Sequence, residues 1–258
     1  ALILPNLHES SSRLSAGVQE VMMDSKSTVD IFHYDENENL EREQLNRLAA
    51  EGYDGAIVFP SLSAGTLKPL LQMVLDGYPM VFIDRAPGQF PCWSVWADNF
   101  RGGYLATEHL IKSGCKRIGC ISTNVSGVHD RYDGFLRAMG DYRRSVDFNL
   151  VSQVEQRDER VEETIEAWLN LPQPVDGVVF SNDFQALRGL RRAKELGRDA
   201  PKDLRVIGFD DLSICMLSTP ALTSVRQDFN GIGRTAAALL IEQVKLPKEK
   251  RFSSARHE

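Results

Sequence analysis

Val206-Ile207-Gly208-Phe209-Asp210-Asp211 decides the fold, because an apolar run there ends abruptly in two carboxylates. Asp176-Gly-Val-Val-Phe-Ser-Asn182-Asp183 repeats the arrangement. Apolar runs of this kind are typical of strands covered on both faces of a parallel sheet. Ligands of open parallel sheets bind outside the carboxyl ends of the strands. Together with Asp84-Arg85 and Arg131, these strand ends predict a receptor for a small polyhydroxylated molecule.

Length and composition limit the classes to which this protein can belong. The chain has 258 residues, 42% of them hydrophobic and 26% charged, which suits a globular protein of two lobes. The net charge of −6 argues against a broad basic surface for nucleic acid on this segment. We find no apolar run of membrane-span length and no signal-peptide pattern, so we expect no membrane contact. Because the chain opens directly on the strand-like Ala1–Pro5, we expect it to be part of a longer polypeptide.

The four cysteines and five histidines lack the spacing of metal sites. We therefore expect no metal, and free thiols in a reducing, cytoplasmic environment. Phosphate-binding loops, nucleophile elbows and dinucleotide fingerprints are also absent from the sequence. Without a nucleophile and base pair or a cofactor motif, we expect no cofactor and no enzymatic activity.

Strand-like and helix-like segments alternate along nearly the whole chain, which predicts parallel sheets with crossover helices. The expected strands are Ala1–Pro5, Val29–Tyr34, Gly55–Pro60, Met80–Asp84, Arg117–Ser122, Leu150–Gln153, Val175–Ser181, Leu204–Phe209 and Leu222–Arg226. The expected helices are Ser11–Ser25, Leu40–Glu51, Asn99–Ser113, Glu159–Leu169, Asp183–Leu196 and Phe229–Val244.

The pattern repeats once along the chain, which predicts an α/β fold of two Rossmann-like lobes with parallel sheets. We expect an N-terminal lobe of residues 1–115 plus 224–246 and a C-terminal lobe of residues 116–223 plus 247–258. The chain would then cross between the lobes three times, near residues 114–117, 222–226 and 246–249.

Planar polar groups recur at the expected strand ends, and such groups recognise the hydroxyls of sugars. They are Asp84, Arg85, Asp98, Arg131, Asn182, Asp210 and Gln227. Six of them have an ordinary alternative role: a helix cap for Asp98, Asn182 and Asp210, a local salt bridge for Asp84-Arg85, and a solvated helix face for Arg131. Gln227 alone would indicate nothing. Neighbouring aromatics offer a stacking wall, although each is more often a core residue: Phe59, Trp96 and Phe184.

A set of motifs recurs in order along residues 1–246: Val81–Arg85, Ala97–Gly103 with Ala106 and His109-Leu110, Cys115–Gly119, Arg131–Phe135, Ser181–Asp183 with Ala186, Val206–Asp211, and Leu222–Gln227 with Gly233 and Ala236-Ala237. Through these motifs the chain resembles the effector-binding domain of lactose-repressor-family transcription regulators, which share the periplasmic-binding-protein type I fold.

The resemblance implies ligand contacts at Arg131, Asn182 and Asp210, with Asp98 beside them. Ribose-type binding proteins of the same fold match at Asp84, Arg85 and Gln227, which implies a monosaccharide or close derivative, including a phosphorylated or carboxylated one. The first loop, Asn6–Arg13, departs from the family because serines replace its usual aromatics. His8, Glu9 or Trp96 would substitute for them.

What the resemblance implies is a ligand-sensing domain that binds a small effector in an interlobe cleft. Lobe closure would change DNA affinity, with operator DNA read by a domain that would precede Ala1. We also expect a homodimer through Leu67–Asp76 and the neighbouring helix. Two alternatives stay open: a periplasmic sugar-binding protein of an import system, and an enzyme acting on sugars or nucleotides.

Overall fold

The computed structural model describes residues 1–87, 90–123, 129–154, 160–251 and 256–257. The chain divides into two compact units. The first unit is Ala1–Ala97 with Asp228–Glu258, and the second unit is Asp98–Gln227.

Strands and helices alternate through both units. In chain order they are β1 (Leu2–Leu4), α1 (Glu9–Asp24), β2 (Ile31–His33), α2 (Glu38–Ala50), β3 (Ala56–Val58), α3 (Ala64–Leu75), β4 (Met80–Ile83), β5 (Trp93–Val95), α4 (Asn99–Lys112), β6 (Ile118–Ser122), α5 (His129–Asp141), β7 (Val151–Gln153), α6 (Arg160–Leu169), β8 (Gly177–Phe180), α7 (Asp183–Glu195), β9 (Arg205–Asp210), β10 (Thr223–Arg226), α8 (Phe229–Lys245) and β11 (Arg256–His257). Short 3-10 helices lie at Phe148–Leu150, Ser213–Leu217 and Lys248–Lys250. None of the helices in the described part of the chain is long and apolar enough to cross a membrane.

The first unit contains a parallel sheet with the strand order β11-β5-β4-β3-β1-β2. β1, β3 and β4 are buried along their whole length, as their apolar runs predict. Side chains such as Ile3, Val58 and Phe82 form a core with Leu45 and Leu48 of α2.

The second unit is a parallel sheet in the order β10-β9-β8-β6-β7. Its core joins Cys120, Val179 and Ile207 of the sheet to Leu110 of α4 and Phe135 of α5. The prediction of two α/β lobes with parallel sheets is therefore confirmed.

The boundaries of the units differ from the expected ones. α4 lies in the second unit, so the first division falls after Ala97 and not near residues 114–117. The reason is that Ala106 and Leu110 of α4 pack against Cys115, Ile118 and Phe135. The expected position of the C-terminal tail is also wrong. Residues 247–258 belong to the first unit, where β11 pairs with β5. No boundary between the two units lies near residues 246–249, where a third crossing was expected. The other division follows Gln227, next to the expected 222–226.

Reciprocal glycines bring one pair of helices into backbone contact in each unit. In the second unit, a side chain on Gly103 of α4 would overlap the carbonyl oxygen of Arg131, and one on Gly134 of α5 would overlap that of Phe100. In the first unit, Gly17 of α1 and Gly233 of α8 make the same kind of approach. Because protein interiors are packed to crystal-like density, such a close crossing restricts the relative position of the two helices. The α4–α5 crossing therefore fixes the backbone of Arg131.

We expect Gly103→Ala to lower the free energy of unfolding by about 1–3 kcal/mol, because the added methyl has no space at the crossing. Gly140→Ala is the matched control, since a methyl there meets nothing within 4 Å. In the control, the better helix propensity of alanine should raise stability by up to about 1 kcal/mol. Urea unfolding of both variants measures the difference, and an equal effect at the two glycines would contradict the tight crossing.

Candidate functional site

Arg131 lies in the first turn of α5 and is only 7% exposed. Its guanidinium carbon lies 3.6 Å from the centroid of the Phe209 ring, on β9. Its Nε donates to Asn99 Oδ1 at 2.7 Å, and its Nη1 donates to the carbonyl oxygen of Ser181. Contacts from α4, β9 and the end of β8 therefore hold one buried cation in one orientation.

Asp210 ends β9 next to this cation. Its Oδ1 lies 4.0 Å from Arg131 Nη1 and accepts a 2.6 Å hydrogen bond from Gln227 Nε2. Gln227 follows β10, which pairs with β9, so strand pairing explains why residues 17 apart in sequence meet. The structure thus brings three predicted site residues together at the carboxyl edge of this sheet: Arg131, Asp210 and Gln227.

Two buried polar atoms in this cluster have no hydrogen-bond partner within the described ranges: Gln227 Oε1 and Asn99 Nδ2. Buried polar groups are nearly always paired, so an unpaired atom calls for a water or a ligand. One unpaired atom is an acceptor and the other a donor, which matches a hydroxyl-bearing partner.

Asn182 and Asp98 both cap helices. Asn182 Oδ1 accepts from the backbone N–H of Gln185 at 2.9 Å, and Asp98 Oδ1 accepts from that of Arg101 at 2.7 Å. Asn182 is buried, whereas Asp98 is exposed. It is the neighbouring Asn99, not Asp98, that contacts Arg131. Sequence reasoning missed Asn99, because Asp-Asn before a helix indicates a cap for either residue.

In the first unit, Asp84-Arg85 follows β4. Arg85 packs over the ring of Phe59 at 5.2 Å, and its Nε lies 3.9 Å from Asp84 Oδ2. That Nε is buried and has no hydrogen-bond partner among the residues the structure describes. Phe59 is thus a buried support for Arg85. These groups are the first unit's counterpart of the Arg131 cluster: a supported guanidinium beside a carboxylate.

A buried network lies in the same unit. Glu41 of α2 is fully buried and accepts hydrogen bonds from the backbone N–H and the hydroxyl of Ser61. Ser61 Oγ also lies 3.1 Å from Thr66 Oγ1 on α3. Burial raises the pKa of Glu41, and the bonds from Ser61 oppose the shift. A lone Glu in a polar helix is normally a surface residue, so sequence reasoning could not identify it.

Of the remaining predicted contacts, His8 is exposed, and Glu9 pairs with Arg13 on α1. The first loop is organised by Asn6, whose Oδ1 accepts from His8 N and Ser11 Oγ. Trp96 is half-buried and packs on the core of the first unit, whereas Phe184 is 40% exposed.

Unusual backbone geometry marks the carboxyl ends of the strands. Non-glycine residues with positive φ occur at Asp35 and Glu36 after β2, Leu62 after β3, Asp84 after β4, and Asp210 and Asp211 at the end of β9. Each such residue costs about 1–3 kcal/mol, and they cluster at functional sites. In the described residues no group of three or more His, Cys, Asp or Glu side chains could hold a metal ion.

Comparison with known proteins decides the family. The family described as "Periplasmic binding protein-like domain" matches residues 107–256. The chain belongs to this family. It is 29% identical over 232 residues to the transcriptional repressor PurR of Photobacterium profundum, a match that covers 89% of this chain and 69% of the relative. It is also 29% identical over 235 residues to the ribose operon repressor of Halalkalibacterium halodurans, covering 90% and 68%.

A solved structure of a LacI family transcriptional regulator from Mycobacterium smegmatis has the same fold, with a TM-score of 0.84 and 26% identity over 99% of this chain and 92% of that one. The chain is thus a ligand-sensing domain of the lactose-repressor-family type. These relatives are repressors and not enzymes, and they favour the regulator over the import protein.

The stability of the folded protein should depend on pH through the buried Glu41. Its ordinary pKa is 4.5 and its pKa in the folded protein is higher. Between these values the folded state binds more protons than the unfolded state, so this group lowers stability as pH rises. Glu41→Gln removes the titration. The stability of the variant relative to the wild type should therefore increase as pH rises from about 4.5 to neutral.

Urea unfolding across this pH range measures the difference, with Glu43→Gln, exposed on the same helix, as the matched control. A stability difference between Glu41→Gln and the wild type that stays constant with pH would contradict a raised pKa of the buried Glu41.

Proposed function

We propose that this domain senses a monosaccharide or a close derivative through the polar groups at the carboxyl edges of its sheets. Arg131 carries the proposal, because the fold keeps a buried guanidinium stacked and oriented beside Asp210 and Gln227. Asn182 is a further proposed contact in the same unit, and Asp84 and Arg85 are the proposed contacts of the first unit.

The polar set suits a polyol. Sugar hydroxyls donate and accept at once, and this set offers guanidinium donors, carboxylate acceptors and an amide that does both. Among the described residues, Gln227 Oε1 and Arg85 Nε have no hydrogen-bond partner, and they are respectively an acceptor and a donor that a hydroxyl can satisfy. Two arginines also allow a phosphate or carboxylate on the sugar. The name of one relative, a ribose operon repressor, favours a pentose as the first probe.

The regulatory mechanism would be a population shift. A ligand shifts a conformational equilibrium only by its differential affinity for the two states. Effector binding would therefore change operator affinity through a coupling free energy, with operator DNA held by a part of the regulator outside this chain. The expected closure of the lobes over the effector stays a prediction. We also propose that the domain acts in the cytoplasm and catalyses no reaction.

A thermal-shift screen followed by calorimetry tests the proposal, with D-ribose, other pentoses, hexoses, sugar phosphates and uronates as probes. Ligands stabilise the state they bind by mass action, so one sugar class should raise the melting temperature. Arg131→Met and Asp210→Ala should abolish that shift while the domain stays folded. Arg137→Ala is the control, since Arg137 is an exposed arginine on the same helix.

Wild-type stabilisation by a sugar that survives both site substitutions would contradict the placement of the site. Lack of stabilisation by every sugar and sugar derivative in the screen would contradict the proposed effector class.

We propose in addition that the domain forms a homodimer through α3. Leu67, Leu71 and Leu75 recur at intervals of four on this helix and are half-buried or exposed, Leu75 by 57%. Residues four apart lie on one face of a helix, so the three leucines form an apolar stripe. A second copy of α3 would cover this stripe by a symmetric contact.

Leu71→Glu should convert the domain to a monomer, because it places a charge in the centre of the stripe. Sedimentation velocity measures the mass, and Lys68→Glu, an exposed position of the same helix, is the matched control. A wild-type domain that sediments as a monomer, or a Leu71→Glu variant that remains dimeric, would contradict this surface.

A further inference from the structure

Asp183 is a fully buried carboxylate that the proposed contacts do not use. It begins α7, directly after Asn182, but its side chain does not cap that helix. Its Oδ2 accepts the backbone N–H of Leu212 at 2.8 Å, and its Oδ1 accepts the hydroxyl of Ser224 at 2.5 Å. Asp183 thus ties the start of α7 to the turn after β9 and to β10.

Ser224 continues the chain of bonds. While its hydroxyl donates to Asp183, its oxygen accepts the backbone N–H of Asp211 at 3.0 Å. Asp183 and Ser224 therefore hold the backbone on both sides of the Asp211 carbonyl, through the N–H of Asp211 and the N–H of Leu212.

The turn held in this way is unfavourable by itself. Asp210 and Asp211 have φ of 114° and 54°, a region that non-glycine residues rarely adopt. Such a conformation persists only when its surroundings over-determine it. An exposed ion pair between Asp211 and Arg226 adds little, since Arg226 is 80% exposed and solvent screens the pair.

Packing leaves Asp183 little freedom. A side chain on Gly208 of β9 would overlap Asp183 Oδ1, so the carboxylate lies directly against the strand. The Cys215 thiol also interacts with it, and burial together with this carboxylate raises the pKa of Cys215 to about 12. The carboxylate is thus surrounded by hydrogen-bond donors of the turn.

We propose that Asp183 and Ser224 are positioning residues for effector binding: they hold the turn that aims Asp210 at Gln227 and Arg131. The inference rests on the proposed function, because it states how one expected effector contact is kept in place. Neither residue need touch the effector itself.

Ser224→Ala tests the proposal, because it removes the shared hydroxyl from a half-buried position of an edge strand and leaves Asp183 intact. Ser224→Thr keeps the hydroxyl and is the rescue variant. Thr223→Ala, exposed and adjacent on β10, is the control. Asp183→Asn is the second perturbation, and it retains an acceptor for the Leu212 N–H.

Two measurements separate the outcomes. The side-chain amide of Gln227, which donates to Asp210, reports the position of Asp210 by NMR without any ligand. It should shift in Ser224→Ala and Asp183→Asn, and stay at the wild-type position in Ser224→Thr and Thr223→Ala. Calorimetry with D-ribose should show affinity about threefold to tenfold weaker in Ser224→Ala, the loss expected for one hydrogen bond.

A Gln227 amide unchanged in Ser224→Ala would overturn the proposal, and so would a shifted amide with unchanged D-ribose affinity. If the wild type itself does not bind D-ribose, that result counts against the pentose probe of the proposed function, and the Gln227 amide alone decides whether Asp210 is positioned in this way.

Discussion

The buried guanidinium of Arg131 is the constraint on which the candidate site of the second unit depends. An unpaired buried cation is costly, so the fold supplies an aromatic face, an amide oxygen and a carbonyl oxygen around it. A desolvated cation–π contact contributes about 2 kcal/mol. These partners lie on α4, on β9 and directly after β8, so Arg131 also links these parts of the unit to α5. A group held in this way loses little further entropy when it binds a ligand.

Much of this organisation follows from local patterns. Apolar runs such as 177–180 and 206–209 predict buried parallel strands, and parallel strands place their polar ends at one edge. The meeting of Arg131, Asp210 and Gln227 could therefore be expected from sequence alone. The boundaries of the units do not follow from local patterns. The first lobe is expected to end near residue 115, but the apolar face of α4 packs on the core of the second unit, and only the tertiary structure shows that.

What the sequence could not predict is which member of a polar pair is buried. Asp98 and Asn99 are chemically alike at a helix start, yet the first is an exposed cap and the second supports Arg131. Asn182 and Asp183 also have different roles, since Asn182 caps α7 and Asp183 bonds to the turn after β9. Neighbouring residues at the start of a helix point in different directions, and only the tertiary structure determines which of the two side chains is buried. Glu41 is a third case, since only its loop partner Ser61 explains its burial.

Arg131 is oriented before any ligand binds. Side-chain NMR of the arginine Nε–H groups in the ligand-free domain tests this orientation most directly. We predict a resolved, slowly exchanging Arg131 Nε–H, because that proton is buried and bonded to Asn99, and fast exchange for the exposed Arg137. Exchange of the Arg131 proton as fast as that of Arg137 would show a solvated, mobile side chain and would contradict the fixed orientation of Arg131.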